Sequence, residues 1–110
     1  MPELPEVENV RIKLNNDLKN RKILSVDFVW EDTVKGSNEE FNEKISNNKI
    51  IEIDRKGKFL IFRLDKYDFI SHLRMEGKYF LMDENEENPK HSCVIFHLNK
   101  KQKLIYDDTR

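Results

Sequence analysis

Lys49-Ile50-Ile51-Glu52-Ile53-Asp54-Arg55-Lys56-Gly57-Lys58-Phe59-Leu60-Ile61-Phe62-Arg63-Leu64 decides the architecture. Two runs rich in β-branched and aromatic residues, 49–55 and 58–64, read as strands. Only the short charged turn Arg55–Lys58 separates them. Strands joined so tightly pair antiparallel, because a parallel pair needs a long crossover. The pattern continues toward the C-terminus, with strands expected near 67–73, 77–82, 92–98 and 103–107. Short polar turns lie between them: Asp65-Lys66, Glu76-Gly77 and Asn99-Lys100-Lys101-Gln102. Asp83 to Lys90 makes a longer acidic loop.

Toward the N-terminus, Ile23 to Glu31 reads as another strand, with Leu24, Val26, Phe28 and Trp30 on one face. Ser37-Asn38-Glu39-Glu40 matches a capping box and opens a short helix over about 38–46. Val7, Val10, Leu14 and Leu18 recur at helical spacing and predict a first helix from Pro5 to Leu18. The expected class is α+β, mostly β. Six or seven antiparallel strands form a two-layer sandwich or flattened barrel, flanked by an N-terminal helix and a second short helix.

The 110 residues suffice for one domain with one core. No apolar run approaches the ~20 residues of a membrane helix. The acidic N-terminus has no secretory signal, and a single cysteine, Cys93, excludes an internal disulfide framework. A cytoplasmic protein without a membrane partner is the expectation. Twenty Lys and Arg against twenty-one Asp and Glu give a formal net charge of −1. A stand-alone DNA-binding domain usually has a basic excess, since phosphate contacts supply much of the affinity. This chain can have a basic face but not a basic total.

The first eight residues, Met1-Pro2-Glu3-Leu4-Pro5-Glu6-Val7-Glu8, carry the sharpest chemistry. Removal of Met1 before a small residue leaves Pro2 with a free secondary amine. An α-amino group is far less basic than a lysine, so a useful fraction is unprotonated near neutral pH. Such an amine attacks a masked aldehyde and forms a Schiff base. From a secondary amine the adduct is an iminium, cationic at every pH. Glu3 stands beside it as a general acid or base. The plainer reading of the same letters is a helix start, with prolines and acids suited to the first turn.

As a string, these residues resemble the start of the formamidopyrimidine-DNA glycosylases, base-excision repair enzymes of bacteria. The resemblance implies Pro2 as nucleophile and Glu3 as its catalytic neighbour, with Glu6 supporting the N-terminal turn. The related endonuclease VIII group opens with glycine where Leu4 stands, so Leu4 points to the purine branch. Gly57-Lys58-Phe59-Leu60 fits the segment around the family's essential lysine. Lys58 would hold a phosphate, or lie near the Pro2 amine and lower its basicity by repulsion. His72-Leu73-Arg74-Met75-Glu76-Gly77 is similar to the family's His-Leu-x-Met-x-Gly. His72 would contact phosphate, and Met75 would enter the gap left by a flipped base. Met75 would otherwise fill core and His72 would be an ordinary strand histidine.

His91 matches a DNA-facing histidine of the family more loosely. His97 reads as structural and Cys93 as a small core residue. Tyr106-Asp107-Asp108-Thr109-Arg110 resembles a loop whose arginine, here Arg110, contacts the orphaned base. The resemblance covers the family's N-terminal domain. Its wedge phenylalanine, helix–two-turn–helix region and zinc finger would lie beyond these residues, so no cofactor or metal is expected within them. It implies a monomeric bifunctional glycosylase and AP lyase at the bacterial nucleoid. The partner is double-stranded DNA carrying oxidised purines such as 8-oxoguanine. The fragment alone is expected to be inactive. The alternatives are an endonuclease VIII-like enzyme for oxidised pyrimidines and a non-catalytic DNA- or protein-binding module that keeps the fold.

Overall fold

A computed structural model describes residues 3–109. In chain order the elements are α1 (Leu4–Leu18), β1 (Lys22–Phe28), a 3-10 turn (Glu31–Thr33), α2 (Asn38–Ile45), β2 (Asn48–Lys56), β3 (Phe59–Leu64), β4 (Asp68–His72), β5 (Lys78–Asp83), β6 (Ser92–Leu98) and β7 (Gln102–Asp107). All ladders are antiparallel, in the order β4-β3-β2-β1-β6-β7-β5. The expected α+β class and strand set are found.

The sheet folds back on itself into two layers. β1 and β2 pair only at Lys22↔Lys49 and Ile23↔Asn48, then splay apart. The halves meet through aromatic rings. Phe62 of β3 and Phe69 of β4 stack on each other at 4.4 Å between centroids, and both lie nearly parallel to Phe96 of β6. The flattened-barrel alternative is not reached, because β4 and β5 form no ladder. Ser71 Oγ and Tyr79 OH bridge them, 2.6 Å apart.

The splay leaves backbone groups of β1 and β2 without strand partners, and the helices supply them. Asn15 of α1 accepts from Ile53 N at 2.9 Å, and Arg11 donates to Ile53 O at 3.2 Å. Asn42 of α2 accepts from Val26 N at 2.8 Å. A buried N–H without an acceptor is costly, so these amides fix where each helix docks. Val7, Leu14 and Leu18 are buried on the same face of α1.

Most expected boundaries shift by a residue, and two of the differences have a visible cause. α1 begins at Leu4 rather than Pro5, with Glu3 as its cap residue and the Glu3 N–H donating to Glu6 Oε1 at 3.3 Å. β1 stops at Phe28, short of Glu31. The Val29 and Trp30 N–H groups both turn onto Cys93 O, at 2.9 and 3.1 Å, which ends the ladder with β6. The expected inward face also fails at Leu24, which is 45% exposed, while Ile23 and Val26 are buried. A bulge between Ile23 and Ser25 shifts the alternation by one residue.

Candidate nucleic-acid interface

Antiparallel pairing sends half of the strand ends to each end of the sandwich. β2 ends where β3 begins, at Lys56↔Phe59; β3 begins where β4 ends, at Phe59↔His72. β7 ends where β5 and β6 begin, at Lys78↔Asp107 and Ser92↔Asp107. The end of β1 faces the start of β6 at Phe28↔Val94. One rim therefore gathers the β2–β3 turn with Lys58, the β4–β5 loop with Met75, His91 before β6, and Asp108 after β7. Sequence separations of up to about fifty residues collapse onto one surface.

Glu8 brings the start of α1 to that rim. Its carboxylate takes both Arg11 Nε and Nη2 at 2.9 Å, and Oε1 also takes Arg55 Nε at 2.8 Å. Arg55 reaches on to Gly57 O at 2.8 Å, one residue before Lys58. Gly57, at φ 60°, is the first residue of a two-residue hairpin turn, a left-handed position that suits glycine. A continuous polar chain thus runs from the second turn of α1 to the turn presenting Lys58. Glu3 is exposed at the head of that helix. Pro2 and Arg110, two of the expected site residues, lie outside the described residues.

The hydrogen bonds from Arg11, then Arg55, hold the Glu8 carboxyl down to about 2. A carboxyl lowered on folding adds stability above its unfolded value. That stability is lost as pH falls from about 4.5 through about 2. Glu8→Gln should lower the urea midpoint at pH 7 and flatten its decline below pH 5. A variant with the same acid limb as the parent would show that Glu8 does not couple folding to protons.

His72 closes β4. Its ring lies 4.9 Å from that of Phe59, and Nδ1 accepts from Arg74 N at 3.0 Å. In the neutral ring the hydrogen is then on Nε2, leaving one donor for a phosphate oxygen. The next five residues form a tight loop around one buried side chain, Leu73. Gly77 N returns to Leu73 O at 2.8 Å. Gly77 admits no side chain: a Cβ would fall 2.2 Å from Leu73 O and 2.6 Å from Tyr106 OH. Arg74 takes a left-handed φ of 60°. Together these turn Met75 outward, 75% exposed, so it is not core. Met75→Ala should change the unfolding midpoint little while weakening excision of a lesion base in an active protein. A loss of about 2 kcal/mol or more, as for a buried methionine, would contradict that placement.

His91 is exposed, and its carbonyl accepts from Asp108 N at 3.1 Å, tying the start of β6 to the end of β7. Asp108 is buried, with Tyr106 OH at 3.3 Å from its Oδ2. Burial, and then the Asp108 charge, push the Tyr106 hydroxyl up to about 12. His97 stands away from the rim. It bridges Asp27 and Glu84 at 2.7 Å each, a structural clamp on the acidic loop. Among the described residues no three His, Cys, Asp or Glu side chains gather as a metal-binding group, and no helix is long and apolar enough to cross a membrane.

Sequence reasoning missed Arg55, Tyr106 and Asp108 as supports of the rim. Only the Glu8/Arg11 spacing of three was visible in advance.

The family model described as the formamidopyrimidine-DNA glycosylase N-terminal domain matches residues 1–110. The chain belongs to the formamidopyrimidine-DNA glycosylase family. It is 46% identical to the formamidopyrimidine-DNA glycosylase of Bacillus subtilis and 43% identical to that of Lactiplantibacillus plantarum, in both cases over 100% of its own length. It spans only 41% and 40% of those relatives. Among solved structures, it is similar to the Lactococcus lactis glycosylase in complex with abasic-site DNA. The TM-score is 0.94 at 37% identity, covering 99% of this chain and 40% of the other. A complex of the same glycosylase with Fapy-dG DNA gives 0.91 at 36% identity, covering 96% and 40%. The two-layer sheet and its helices are those of the glycosylase N-terminal domain.

Proposed function

We propose that this chain is the nucleophile-bearing domain of a bifunctional DNA glycosylase and AP lyase that removes oxidised purines from double-stranded DNA. The observation that carries it is the single rim. Glu3, Lys58, His72, Met75 and His91 come from five separate segments, and the topology delivers them to one end of the sandwich. Solved relatives of the same fold are complexes with damaged DNA, which supports the same partner here.

In this reading the Pro2 amine attacks the anomeric carbon of a flipped nucleotide and the damaged base leaves. Glu3 protonates the sugar ring oxygen or otherwise assists ring opening. The resulting iminium is an electron sink, so the 3′ and then the 5′ phosphate leave by β- and δ-elimination. Lys58 and His72 hold phosphates flanking the site. Met75 and Arg110 fill the space that the base vacates. Leu4 favours the purine branch over the pyrimidine one. The chain supplies no cofactor for this chemistry; a zinc site belongs to the family's other domain. The protein works as a monomer in the bacterial cytoplasm at the nucleoid. A net charge of −1 gives little counterion release on duplex binding, so residues 1–110 alone bind weakly and do not turn over.

The test is borohydride trapping on an 8-oxoguanine duplex at low salt, with a full-length protein that carries this chain and with residues 1–110 alone. A covalent adduct from the full-length protein, mapped to residue 2, supports the enzyme. No adduct, with duplex binding intact, means a binding module. Equal turnover on oxidised pyrimidines would move the protein to the endonuclease VIII side. Robust excision by residues 1–110 would remove the claim that the chain alone is silent.

A further inference from the structure

The rim carries a large, exposed aromatic residue that this chemistry leaves unused and that, unlike Phe59, has no ring partner among the described residues. Trp30 stands just past the end of β1, 57% exposed, beside Val29 at 59%. The pair is held firmly. Both N–H groups converge on Cys93 O, and the Thr33 N–H and hydroxyl close the turn onto Trp30 O at 3.3 and 2.9 Å. Cys93 lies two residues beyond His91, so the anchored turn borders the His91 side of the rim. An indole gains most from burial, and its ring here stacks on no other among the described residues. The next two residues, Glu31 and Asp32, are exposed acids. They would repel phosphate, so a partner at this point must offer uncharged surface.

Resting on the DNA-repair reading, we propose that Trp30 is a nucleic-acid contact whose indole packs on the sugar-and-base surface of the duplex seated on the rim. The contact differs in kind from those of Lys58 and His72. A cation that neutralises a phosphate releases counterions and steepens the dependence of affinity on salt. An indole releases none. Trp30 therefore contributes affinity that salt does not remove.

Trp30 is the only tryptophan in the chain, so its emission reports the contact directly. A labelled duplex carrying an abasic-site analogue would be titrated with the 110-residue chain at several low salt concentrations. DNA anisotropy and tryptophan emission would be followed together. Emission should shift with the same midpoint as anisotropy. Trp30→Ala should weaken binding about tenfold at every salt concentration with an unchanged salt slope. Trp30→Phe should recover most of the loss. Lys58→Ala should reduce the slope by about one. A rise in anisotropy with static emission, and Trp30→Ala binding like the parent, would overturn the contact. So would a core-sized drop in the unfolding midpoint of Trp30→Ala, which would make the residue structural. Even weak binding shows at the lowest salt, so no anisotropy change there at the highest protein concentration would instead reject the DNA-binding reading itself, and this contact with it.

Discussion

A full-length protein that keeps Met1 should form no borohydride-trapped DNA adduct, whereas the processed protein beginning at Pro2 should form one. The difference lies in one nitrogen. With Met1 attached, the Pro2 nitrogen is a tertiary amide whose lone pair is delocalised into the carbonyl. It cannot attack the sugar or form an iminium. With Met1 gone, the same nitrogen is a secondary amine of modest basicity. Binding should survive better than chemistry, since Lys58, His72 and Met75 are untouched. Mass spectrometry of the N-terminus, trapping and anisotropy on an abasic-site analogue separate the two. Equal trapping by the Met1-retaining form would remove Pro2 as nucleophile and turn attention to Lys58.

Phe62→Ala should cost about 3–5 kcal/mol of stability. Phe62 is wholly buried and touches both layers: Phe69 at 4.4 Å, Tyr79 at 5.6 Å and Phe96 at 6.5 Å between centroids. The layers share little backbone pairing, because β1 and β2 separate after two residue pairs. Side-chain packing must therefore hold the fold shut. A small domain has only about 5–15 kcal/mol in all, so the variant should be largely unfolded at modest urea. Phe62→Leu should retain most of the midpoint. A loss under about 1 kcal/mol for Phe62→Ala would mean that the ring stack does not join the layers.

Strand positions were legible because alternation of apolar residues is local information. Ile50, Ile53, Leu60, Phe62 and Leu64 announce two strands by themselves. The strand after α1 was harder. A bulge near Leu24 reverses its face, and the pull of Cys93 O on Val29 and Trp30 comes from a strand more than sixty residues away. The same limit applies to the rim. Lys58, His72 and Met75 stand in recognisable strings, and the turns beside Gly57 and Gly77 hinted that they face out. The Glu8–Arg55 bond joins residues that nothing in their neighbourhoods connects. Lys103 shows the limit again. A lysine in a strand reads as solvent-facing, yet it is buried and donates to the carbonyls of Glu84 and Glu86. Two carbonyls on the acidic loop, 19 and 17 residues away, decided its place, and the sequence around it gives no sign of them.

The one-ended layout also gives the molecule a handle. The turn between β6 and β7 sits at the end opposite the rim, with Lys100 and Lys101 exposed at its tip. Both take left-handed φ values, 61° and 57°. β7 is six residues long, which puts the tip roughly 20 Å from the functional end. A dye or surface linker attached at that turn would leave every rim residue facing outward. Anchored molecules would share one orientation toward a passing duplex, which suits single-molecule work on lesion search.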